Sequence, residues 1–347
     1  MSQDLVDELD LELVHALQLN PRASWSTLGR ALDIDPVTVA RRWERLEKAG
    51  LAWTFCVPGP IARTGLLRMM YVEIECAPNG LSPAIDHLLA QPHVIYLHHM
   101  TGARSLLAAI AVADLPAASA YSRRELDALP GARAHHPELL VTTFSEASRW
   151  RLGTLEPARQ HELRGTGAPM AETLRALDDT DEDLIRALTT DARRSHTELA
   201  AHVGVSDATV RRRLARLLAD GRIRMRCEIA QSVSGWPVTA VLRCHVPAAQ
   251  LATVARAAAH LPETRLAAGM TGAENLLLIV WLRDAADLPE WEAALATRYP
   301  ELVVTRRGVC LRTLKHMGRL FDERGAAVDS APIDIWQPDW QPDRTAA

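Results

Sequence analysis

The chain has 347 residues, of which 48% are hydrophobic, so it is longer than one typical domain and has ample core material. Its 39 basic and 43 acidic residues give a formal net charge of −4, which excludes a general polycation, so nucleic-acid binding would have to rest on a local basic surface. The five cysteines lie far apart, so neither a zinc motif nor a disulfide framework is indicated.

The N-terminal sequence MSQDLVDELD is acidic and lacks the apolar stretch of a secretion signal. No apolar run reaches the length of a membrane span, so we expect a cytoplasmic protein with no membrane partner. The sequence shows no Gly-rich phosphate loop, nucleophile elbow or paired-acid motif. We therefore expect no catalytic residue, no metal and no cofactor.

Residues 1–58 predict a winged helix-turn-helix domain. Apolar residues recur at helical spacing over 4–19, a short helix follows a serine cap, and a third helix covers 36–49. The last two helices are joined by about four residues, which is the helix-turn-helix pattern. A strand over 51–57 would form the wing.

Residues 65–147 predict a sheet domain with the element order βαββαβ. The strands are expected over 68–76, 93–100, 105–112 and 139–144, and the helices over 82–90 and 115–129. This order gives an antiparallel four-stranded sheet with two helices on one face, which leaves the other face to be covered. A partner sheet is the expected cover.

The second half of the chain predicts the same two domains, after a Gly-, Pro- and charge-rich connector over 148–175. A second winged helix-turn-helix is expected over 176–230 and a second sheet domain over 236–320. Residues 321–347 form an acidic, proline-rich tail that we expect to be extended or disordered. Trp336 and Trp340 in this tail could contact a neighbouring surface.

An internal repeat supports this division of the chain. Seven of the thirteen residues from 38 to 50 recur 171 positions later. The recurring residues are Thr38, Val39, Arg41, Arg42, Arg45, Leu46 and Gly50. The tripeptide Met-Thr-Gly occurs at 100–102 and again at 270–272, so the duplication covers a whole unit of helix-turn-helix and sheet domain.

The third helix of each repeat carries arginines on the face opposite its apolar residues. In the second copy, Ser206 is a good N-cap and Gly221 can adopt the left-handed conformation that ends a helix. Residues 207–226 hold seven basic residues against two acidic ones, whereas residues 35–48 hold four against three. We therefore expect the second copy to contribute more of the electrostatic affinity for DNA.

These features resemble those of the leucine-responsive regulatory protein (Lrp/AsnC) family of transcription regulators, in a tandem-duplicated form. The resemblance rests on the motif Thr38-Val39-x-Arg41-Arg42 and on the Thr101-Gly102 turn between the central strands. It implies an α+β fold in which each winged helix-turn-helix is followed by a ferredoxin-like effector (RAM) domain. It also implies sequence-specific binding of double-stranded DNA, and pairing of sheet domains into an intrachain pseudo-dimer and into homo-oligomers.

The resemblance assigns two groups of residues to binding. The DNA-contacting residues would be Thr38, Arg41, Arg42, Arg45, Thr209, Arg211, Arg212, Arg213, Arg216, Arg224 and Arg226, the last two on the wing. A small effector, an amino acid or another metabolite, would bind near Met100, Thr101, Gly102, Ser105, Met270, Thr271, Gly272 and Asn275.

The chain departs from the family pattern at two of these effector positions. The family usually has an acidic residue three positions after the turn glycine, where it helps to hold the effector's amino group. Ser105 and Asn275 stand there instead. A neutral side chain cannot provide the charge-assisted bond that an ammonium group prefers, so we expect an effector other than a free amino acid, or none.

Three alternatives to a ligand-controlled DNA regulator remain. Siroheme decarboxylases are also built from two Lrp-like units, but the histidine- and tyrosine-bearing catalytic segments expected for them are not evident here, so the sequence predicts that the chain is not an enzyme. A protein-interaction scaffold with relic helix-turn-helix units is hardest to exclude for the first copy. A metal site at His93, His98 and His99 is disfavoured, because successive residues of a strand face opposite sides, so that His98 faces away from His93 and His99.

Overall fold

The structure is a computed structural model, and it describes residues 6–59, 68–146, 150–163, 177–331 and 333. The described residues group into two compact units, each of which combines parts of both halves of the chain. The first unit contains both helix-turn-helix domains and comes from the segments Met1–Leu66, Arg151–Val233 and Ala326–Ile333. The second contains both sheet domains and comes from Leu67–Trp150 and Ser234–Gly325.

The first unit holds two sets of three helices, each set followed by a strand. The first set is α1 (Glu8–Leu19), α2 (Trp25–Leu32), α3 (Pro36–Lys48) and β1 (Ala52–Pro58). The second set, which follows α6 (Pro157–Leu163), is α7 (Asp179–Thr190), α8 (His196–Val203), α9 (Asp207–Ala219) and β6 (Ile223–Ile229). These elements confirm the winged helix-turn-helix pattern in both copies.

The ends of α9 follow from the residues that the sequence analysis identified. The Ser206 hydroxyl accepts a hydrogen bond from the backbone N–H of Thr209 at 3.2 Å, so Ser206 is the N-cap. Gly221 has φ of 64°, the left-handed conformation expected just after a helix. The sequence prediction was correct at both ends of this helix.

An approximate two-fold axis relates the two sets within the first unit. β1 and β6 pair in antiparallel orientation, and Phe55 lies opposite Arg226, its own equivalent in the repeat. The side chain of Arg22 donates to the carbonyl oxygens of Ala192 and Arg194, and the equivalent Arg193 donates to those of Pro21 and Ala23. The strands predicted as separate wings therefore form one shared ribbon.

The described part of the connector is more ordered than its composition predicts. Residues 157–163 form α6, and Leu155 and Leu163 are buried. The backbone N–H of Leu155 donates to Nδ1 of the buried His15 at 2.8 Å. Apolar residues spaced among Pro, Gly and charged residues were too few to predict this packing. The remainder of the connector, residues 164–176, lies outside the described residues.

The second unit consists of two copies of the predicted βαββαβ fold. The first copy is β2 (Arg68–Cys76), α4 (Leu81–Ala90), β3 (Val94–Met100), β4 (Leu106–Val112), α5 (Leu115–Tyr121) and β5 (Ala132–Ser145). The second copy is β7 (Val238–His245), α10 (Ala248–Ala258), β8 (Thr264–Met270), β9 (Leu276–Leu282), α11 (Leu288–Arg298) and β10 (Val303–His316).

The long last strand of each copy joins the two sheets. Residues 132–139 of β5 pair with β2, and residues 140–145 pair with β8 of the other copy. In the same way, β10 pairs first with β7 and then with β3. Buried residues of both sheets, among them Tyr71, Leu107, Val241 and Leu277, share one core. The intrachain pseudo-dimer of sheets is confirmed, and each sheet covers the open face of the other.

The prediction for β5 started too late in the chain. The strand begins at Ala132 rather than at residue 139, because His135, His136 and Pro137 interrupt the apolar pattern but are paired with β2. The helix predicted over 115–129 is also shorter: α5 ends at Tyr121 and continues as a π-helical turn over Ser122–Leu126.

The first part of the tail is structured, contrary to the sequence prediction. A short strand β11 (Arg319–Phe321) turns back on β10 through Met317 and Gly318, which both have positive φ. A further strand, β12 (Ala327–Ser330), belongs to the first unit, where the N–H of Ala327 donates to the carbonyl oxygen of Gly50 at 2.9 Å. Trp336 and Trp340 lie outside the described residues. Within the described part, no helix is long and apolar enough to cross a bilayer.

Candidate nucleic-acid interface and charged cavity

The inner faces of the two third helices, α3 and α9, pack into the first unit as predicted. Val210, Leu214 and Leu217 are buried on α9, and Val39, Trp43 and Leu46 are buried on α3. Trp43 is thus a core residue. Only the outer face of each helix is therefore available to bind a ligand.

Two arginines of α9 hold the helix to α7 instead of facing outward. Arg213 donates to Asp178 at 2.7 Å and to Asp181 at 2.8 Å, and Arg216 donates to Asp181 at 2.5 Å. Asp181 is fully buried, and it forms the capping box of α7 with Asp178. A buried carboxylate needs such partners, because an unpaired charge in the interior is costly.

The first copy repeats this arrangement. Arg42 of α3 donates to Asp7 at 2.7 Å and to Asp10 at 2.9 Å, and Arg45 also pairs with Asp10. Asp10 is buried and completes the capping box of α1. The sequence analysis placed Arg42, Arg45, Arg213 and Arg216 at DNA. The structure instead gives them partners inside the first unit.

Exposed basic side chains lie on the first two turns of α3 and α9, and Arg45 further along α3 is also 47% exposed. Arg41 and Arg212 occupy equivalent positions and are exposed, and Arg211 is 68% exposed beside Asp207. Thr38 and Thr209 are half-buried at the N-terminal ends of the helices. Each helix therefore presents a threonine and an arginine one turn apart, at the end of a recognition helix that usually approaches base edges.

The wing residues do not fit the role that the sequence analysis gave them. Arg226 is buried, pairs with Glu228 and lies over the Phe55 ring, with its Cζ 5.3 Å from the ring centre. Arg224 is half-buried opposite Val57 in the shared ribbon. Arg222 is buried as well. Arg222 and Arg226, two of the seven basic residues counted in the second copy, are therefore inside the unit and drop out of the charge argument, whereas Arg211 and Arg212 stay exposed.

In the second unit, a cavity of about 260 Å³ lies beside the Met-Thr-Gly turn of the first copy. Met100, Thr101 and Gly102 line it, as the resemblance predicts. Its charged lining residues are Glu73, Glu75, Arg104, Arg243, Arg306 and Arg307. The lining thus holds four guanidinium groups and two carboxylates, and Arg243, Arg306 and Arg307 pair in addition with Glu138, Glu274 and Glu292.

Glu73 is the centre of a network of charged side chains in this cavity. Arg104, Arg306 and Arg243 all donate to it, with distances of 2.7 Å from Arg306 and 3.3 Å from Arg243. Burial alone would raise the pKa of Glu73, but the three guanidinium groups outweigh it and lower the pKa. The hydrogen bond from Arg306 also lowers the pKa of Glu274 to about 2. Both carboxylates are ionised at neutral pH.

The Met-Thr-Gly turn of the second copy has a different neighbour. Met270 lies in the core between the sheets, and the carboxylate of Glu138 lies against Gly272. The threonines of both turns are structural: Thr101 Oγ1 accepts from the N–H of Val309 at 2.9 Å, and Thr271 Oγ1 accepts from that of Leu139 at 3.0 Å.

The two residues that replace the family's acidic position also have internal partners. Asn275 accepts from the N–H of Val246 at 3.0 Å and donates to the carbonyl oxygen of Val246 at 2.8 Å. Ser105 hydrogen-bonds to the Cys76 thiol. Neither residue lines the cavity, so the prediction that Ser105 and Asn275 bind an effector is not supported by their positions.

The sequence analysis missed the charged residues that line the cavity. Glu73 and Arg243 stand in the middle of apolar strands, 170 positions apart, and so occupy equivalent places in the repeat. The sequence did contain a signal for this site: Glu73 and Arg243 place opposite charges at the same position of the two repeats, in strands that are otherwise apolar. The histidines noted earlier do not gather into a site: within the described ranges, no group of three His, Cys, Asp or Glu could hold a metal ion.

Comparison with solved structures finds this two-unit architecture in an enzyme. The siroheme decarboxylase NirDL matches 92% of this chain, with a TM-score of 0.58 at 13% identity, and the match covers 96% of NirDL. Its complex with an iron-uroporphyrin III analogue gives a TM-score of 0.57 at 12% identity over 88% of this chain and 92% of that chain. The expectation that the chain is not an enzyme, which rested on the absence of evident catalytic segments, is therefore contradicted, because the duplicated fold of this chain is also the fold of an enzyme.

Comparison of sequences finds DNA regulators. An HTH-type transcriptional regulator of Pyrococcus abyssi is 30% identical over 113 residues, covering 32% of this chain and 72% of the relative. One from Mycobacterium tuberculosis is 34% identical over 125 residues, covering 34% and 80%. The profile of the AsnC-type helix-turn-helix domain matches residues 6–47 and 177–218, and that of the Lrp/AsnC ligand binding domain matches residues 69–145. The chain belongs to the Lrp/AsnC family.

Proposed function

We propose that the protein is a sequence-specific transcription regulator that binds double-stranded DNA through the first turns of α3 and α9. The contact set is smaller than the sequence suggests and consists of Thr38, Arg41, Thr209, Arg211 and Arg212. The arginines would divide between guanine edges and phosphates, and the threonines would lie near base edges.

One observation carries this proposal. Two helices expose the same threonine and arginine, and the antiparallel ribbon of β1 and β6 relates them by an approximate two-fold axis. Such symmetry suits two half-sites about one helical turn apart on one face of DNA. Because the two copies differ in sequence, the half-sites need not be identical. The relatives named as transcriptional regulators support the same function.

The test removes the exposed arginine from each helix. We expect Arg41→Ala with Arg212→Ala to weaken operator binding by at least about tenfold, and to reduce the salt dependence by about two phosphate contacts. Operator fragments are first selected from genomic DNA, and affinity is then measured by fluorescence anisotropy at several salt concentrations.

The matched control removes two exposed arginines from the second unit, Arg124→Ala with Arg256→Ala, and thus changes the net charge equally. We expect this variant to bind operator DNA within about twofold of the wild-type protein. Equal affinity of the helix variant and the control would contradict the proposed interface. If the helix variant still bound non-specific DNA but no longer preferred the operator, this would show that Arg41 and Arg212 recognise the operator sequence.

We further propose that the cavity beside Gly102 binds a small effector that changes the affinity for DNA. Its position in the second unit, its charged lining and the family match to a ligand-binding domain support this. The fold similarity to a decarboxylase favours a second candidate, an enzyme that acts on the carboxylates of a tetrapyrrole. Titration with siroheme, followed by absorbance and by mass spectrometry of the product, distinguishes the two: loss of carbon dioxide supports the enzyme, and an unchanged spectrum excludes it.

A further inference from the structure

The two Met-Thr-Gly turns of the second unit are equivalent in the repeat but differ in what lies against them. A Cβ atom added to Gly102 would meet no heavy atom of the described residues within 4 Å. A Cβ atom added to Gly272 would come within 1.9 Å of Oε1 of Glu138. The first turn therefore faces open space, whereas the second faces a carboxylate from the chain itself.

The hydrogen bonds of the turns show which residue takes the place of Glu138 in the first copy. Thr271 exchanges hydrogen bonds with Leu139, and Thr101 exchanges the same pair of bonds with Val309. The residue before Leu139 is Glu138, and the residue before Val309 is Gly308. The side chain that fills the second site is thus absent from the first because glycine stands at the equivalent position.

Arg243 connects the two turns. It is 1% exposed, its Nη1 donates to Glu138 at 2.5 Å and its Nε donates to Glu73. It also lines the open cavity, and its Nη2 is buried with no hydrogen-bond partner among the described residues. A buried guanidinium N–H without an acceptor is costly, so a small acceptor that reaches Arg243 would be favoured.

The charges of the two sites have also diverged. Arg104 follows the first turn, whereas Glu274 occupies the equivalent position after the second. The opening beside the second turn, about 500 Å³, is lined by Arg104 and Arg306 but also by Glu138 and Glu274, so its arginines are balanced by glutamates. The cavity beside Gly102 is lined by more guanidinium groups than carboxylates, although Arg243, Arg306 and Arg307 also pair with glutamates outside its lining. The two sites therefore differ in the residue that follows the turn and in whether a carboxylate of the chain lies against it.

Glu73, the buried carboxylate of the open cavity, is already shared by guanidinium groups, so an ammonium group would have to compete with them for it. Both oxygens of Glu73 accept from guanidinium groups, and Glu75 lies 3.1 Å from Nε2 of His136 and 3.9 Å from Nε of Arg104. The volume of about 260 Å³ is below that of most sites for drug-sized ligands, about 300–1,000 Å³, and so fits a small metabolite.

We infer that the chain binds one small carboxylic acid without an ammonium group, in the cavity beside Gly102, and that the opening beside Gly272 is closed to a second carboxylate by Glu138, which acts as a built-in one. The guanidinium groups of Arg104, Arg243 and Arg306 match the fork geometry of a carboxylate. The inference rests on the proposed ligand role of this cavity, but it requires no statement about DNA.

The test measures binding of succinate, inorganic phosphate and leucine to the whole chain by isothermal titration calorimetry, at up to millimolar concentrations. We expect succinate to bind with a stoichiometry of one per chain and leucine not to bind. Phosphate binding tighter than succinate binding would overturn the carboxylate assignment. Two succinates per chain would overturn the closure of the second site, and the absence of succinate binding would overturn the inference as a whole.

Two substitutions at one residue locate the site. Gly308→Glu gives the first copy the carboxylate that the second copy already has, and we expect it to weaken succinate binding by more than about tenfold. Gly308→Ala is the matched control: its Cβ would meet only the flexible Met100 side chain closer than 3.4 Å, so binding should persist. Unchanged succinate binding in Gly308→Glu would contradict the location of the site.

Arg104→Gln provides a second variant in case Gly308→Glu does not fold. Arg104 is partly exposed at the cavity and is replaced by Glu274 in the second copy, so its loss should weaken succinate binding without unfolding the unit. Because neither measurement uses DNA, a failure here leaves the proposed DNA interface untouched. Unchanged operator binding in the helix variants, conversely, would contradict the DNA interface but leave this inference intact.

Discussion

Single buried acids determine how the helix-turn-helix faces are used. Asp10 and Asp181 are 1% and 0% exposed, and each receives two arginines from the third helix of its own copy. A row of arginines on a helix suggests a surface that binds phosphates. In α9, however, Arg213 and Arg216 neutralise Asp181, a carboxylate that caps another helix. The residues left for DNA are those that point away from these acids.

Removing one of these acids should destabilise the first unit. We expect Asp181→Ala to lower the free energy of unfolding by about 3–5 kcal/mol, because it breaks a buried ion pair and leaves Arg213 and Arg216 without it. Asp183→Ala, which removes a half-exposed acid from the same helix, should cost less than about 1 kcal/mol. Urea denaturation followed by circular dichroism measures both. Equal costs would show that the pairing of Asp181 contributes nothing.

A buried histidine of the second unit should make stability depend on pH. Burial lowers the pKa of His98 to about 4, and its Nδ1 lies 3.2 Å from Thr313 Oγ1. In the unfolded chain His98 therefore takes up a proton near pH 6.5, whereas in the folded chain it does so only near pH 4. Stability should be fully present above pH 6.5 and should fall as the pH drops through this window, by about 3 kcal/mol in total.

The check is the free energy of unfolding at pH 7 and at pH 4 in the wild-type chain and two variants. His98→Gln should lose less stability on acidification than the wild type, because the group that titrates is absent. His99→Gln, on the opposite face of β3, should behave like the wild type. Parallel pH curves for wild type and His98→Gln would contradict the assignment.

At the scale of elements, local patterns predict what local forces determine. The strand Arg68–Cys76 begins and ends where the sequence predicts, because β-forming residues and flanking turns define it. The cap of α9 was equally predictable from Ser206. The reach of β5 to the other copy was not, since its partner β8 lies more than a hundred residues away. The charged lining of the cavity was not predictable for the same reason, because its residues come from distant parts of the chain.

Gly50 shows how one element depends on a distant segment. Its φ is +65°, and an added Cβ would lie 2.0 Å from the carbonyl oxygen of Ala327 in β12. Gly204 has a similar φ of +70°, but a Cβ there would meet no heavy atom of the described residues within 4 Å. The two glycines thus share a backbone conformation and differ only in the close approach of β12.

The pair therefore separates backbone strain from a steric clash. We expect Gly204→Ala to cost about 1–2 kcal/mol, the penalty of the left-handed conformation, and Gly50→Ala to cost more. Only Gly50→Ala should displace β12, so limited proteolysis should cut within residues 326–331 faster in this variant. Equal cleavage in both variants would show that β12 does not require the glycine.

At the scale of the whole chain, duplication has produced two units that each keep an approximate symmetry and modify it locally. The first unit retains its paired capping acids, its reciprocal Arg22 and Arg193 contacts and its exposed threonine and arginine in both copies. The second unit retains the crossing strands but has changed the charges around its two turns. The symmetric part suits two half-sites on DNA, and the asymmetric part suits one ligand.

The symmetry of the first unit predicts equal use of both recognition helices. The basic count of the second copy favours α9 in the sequence, but Arg213 and Arg216 are paired with acids, and Arg222 and Arg226 are buried. We therefore expect Arg41→Ala and Arg212→Ala, tested singly by anisotropy, to weaken operator binding by amounts within about threefold of each other. Each should lower the salt slope by about one contact, because each removes one exposed charge at the same position of its helix. A much larger loss for Arg212→Ala would instead favour the second copy as the main reader.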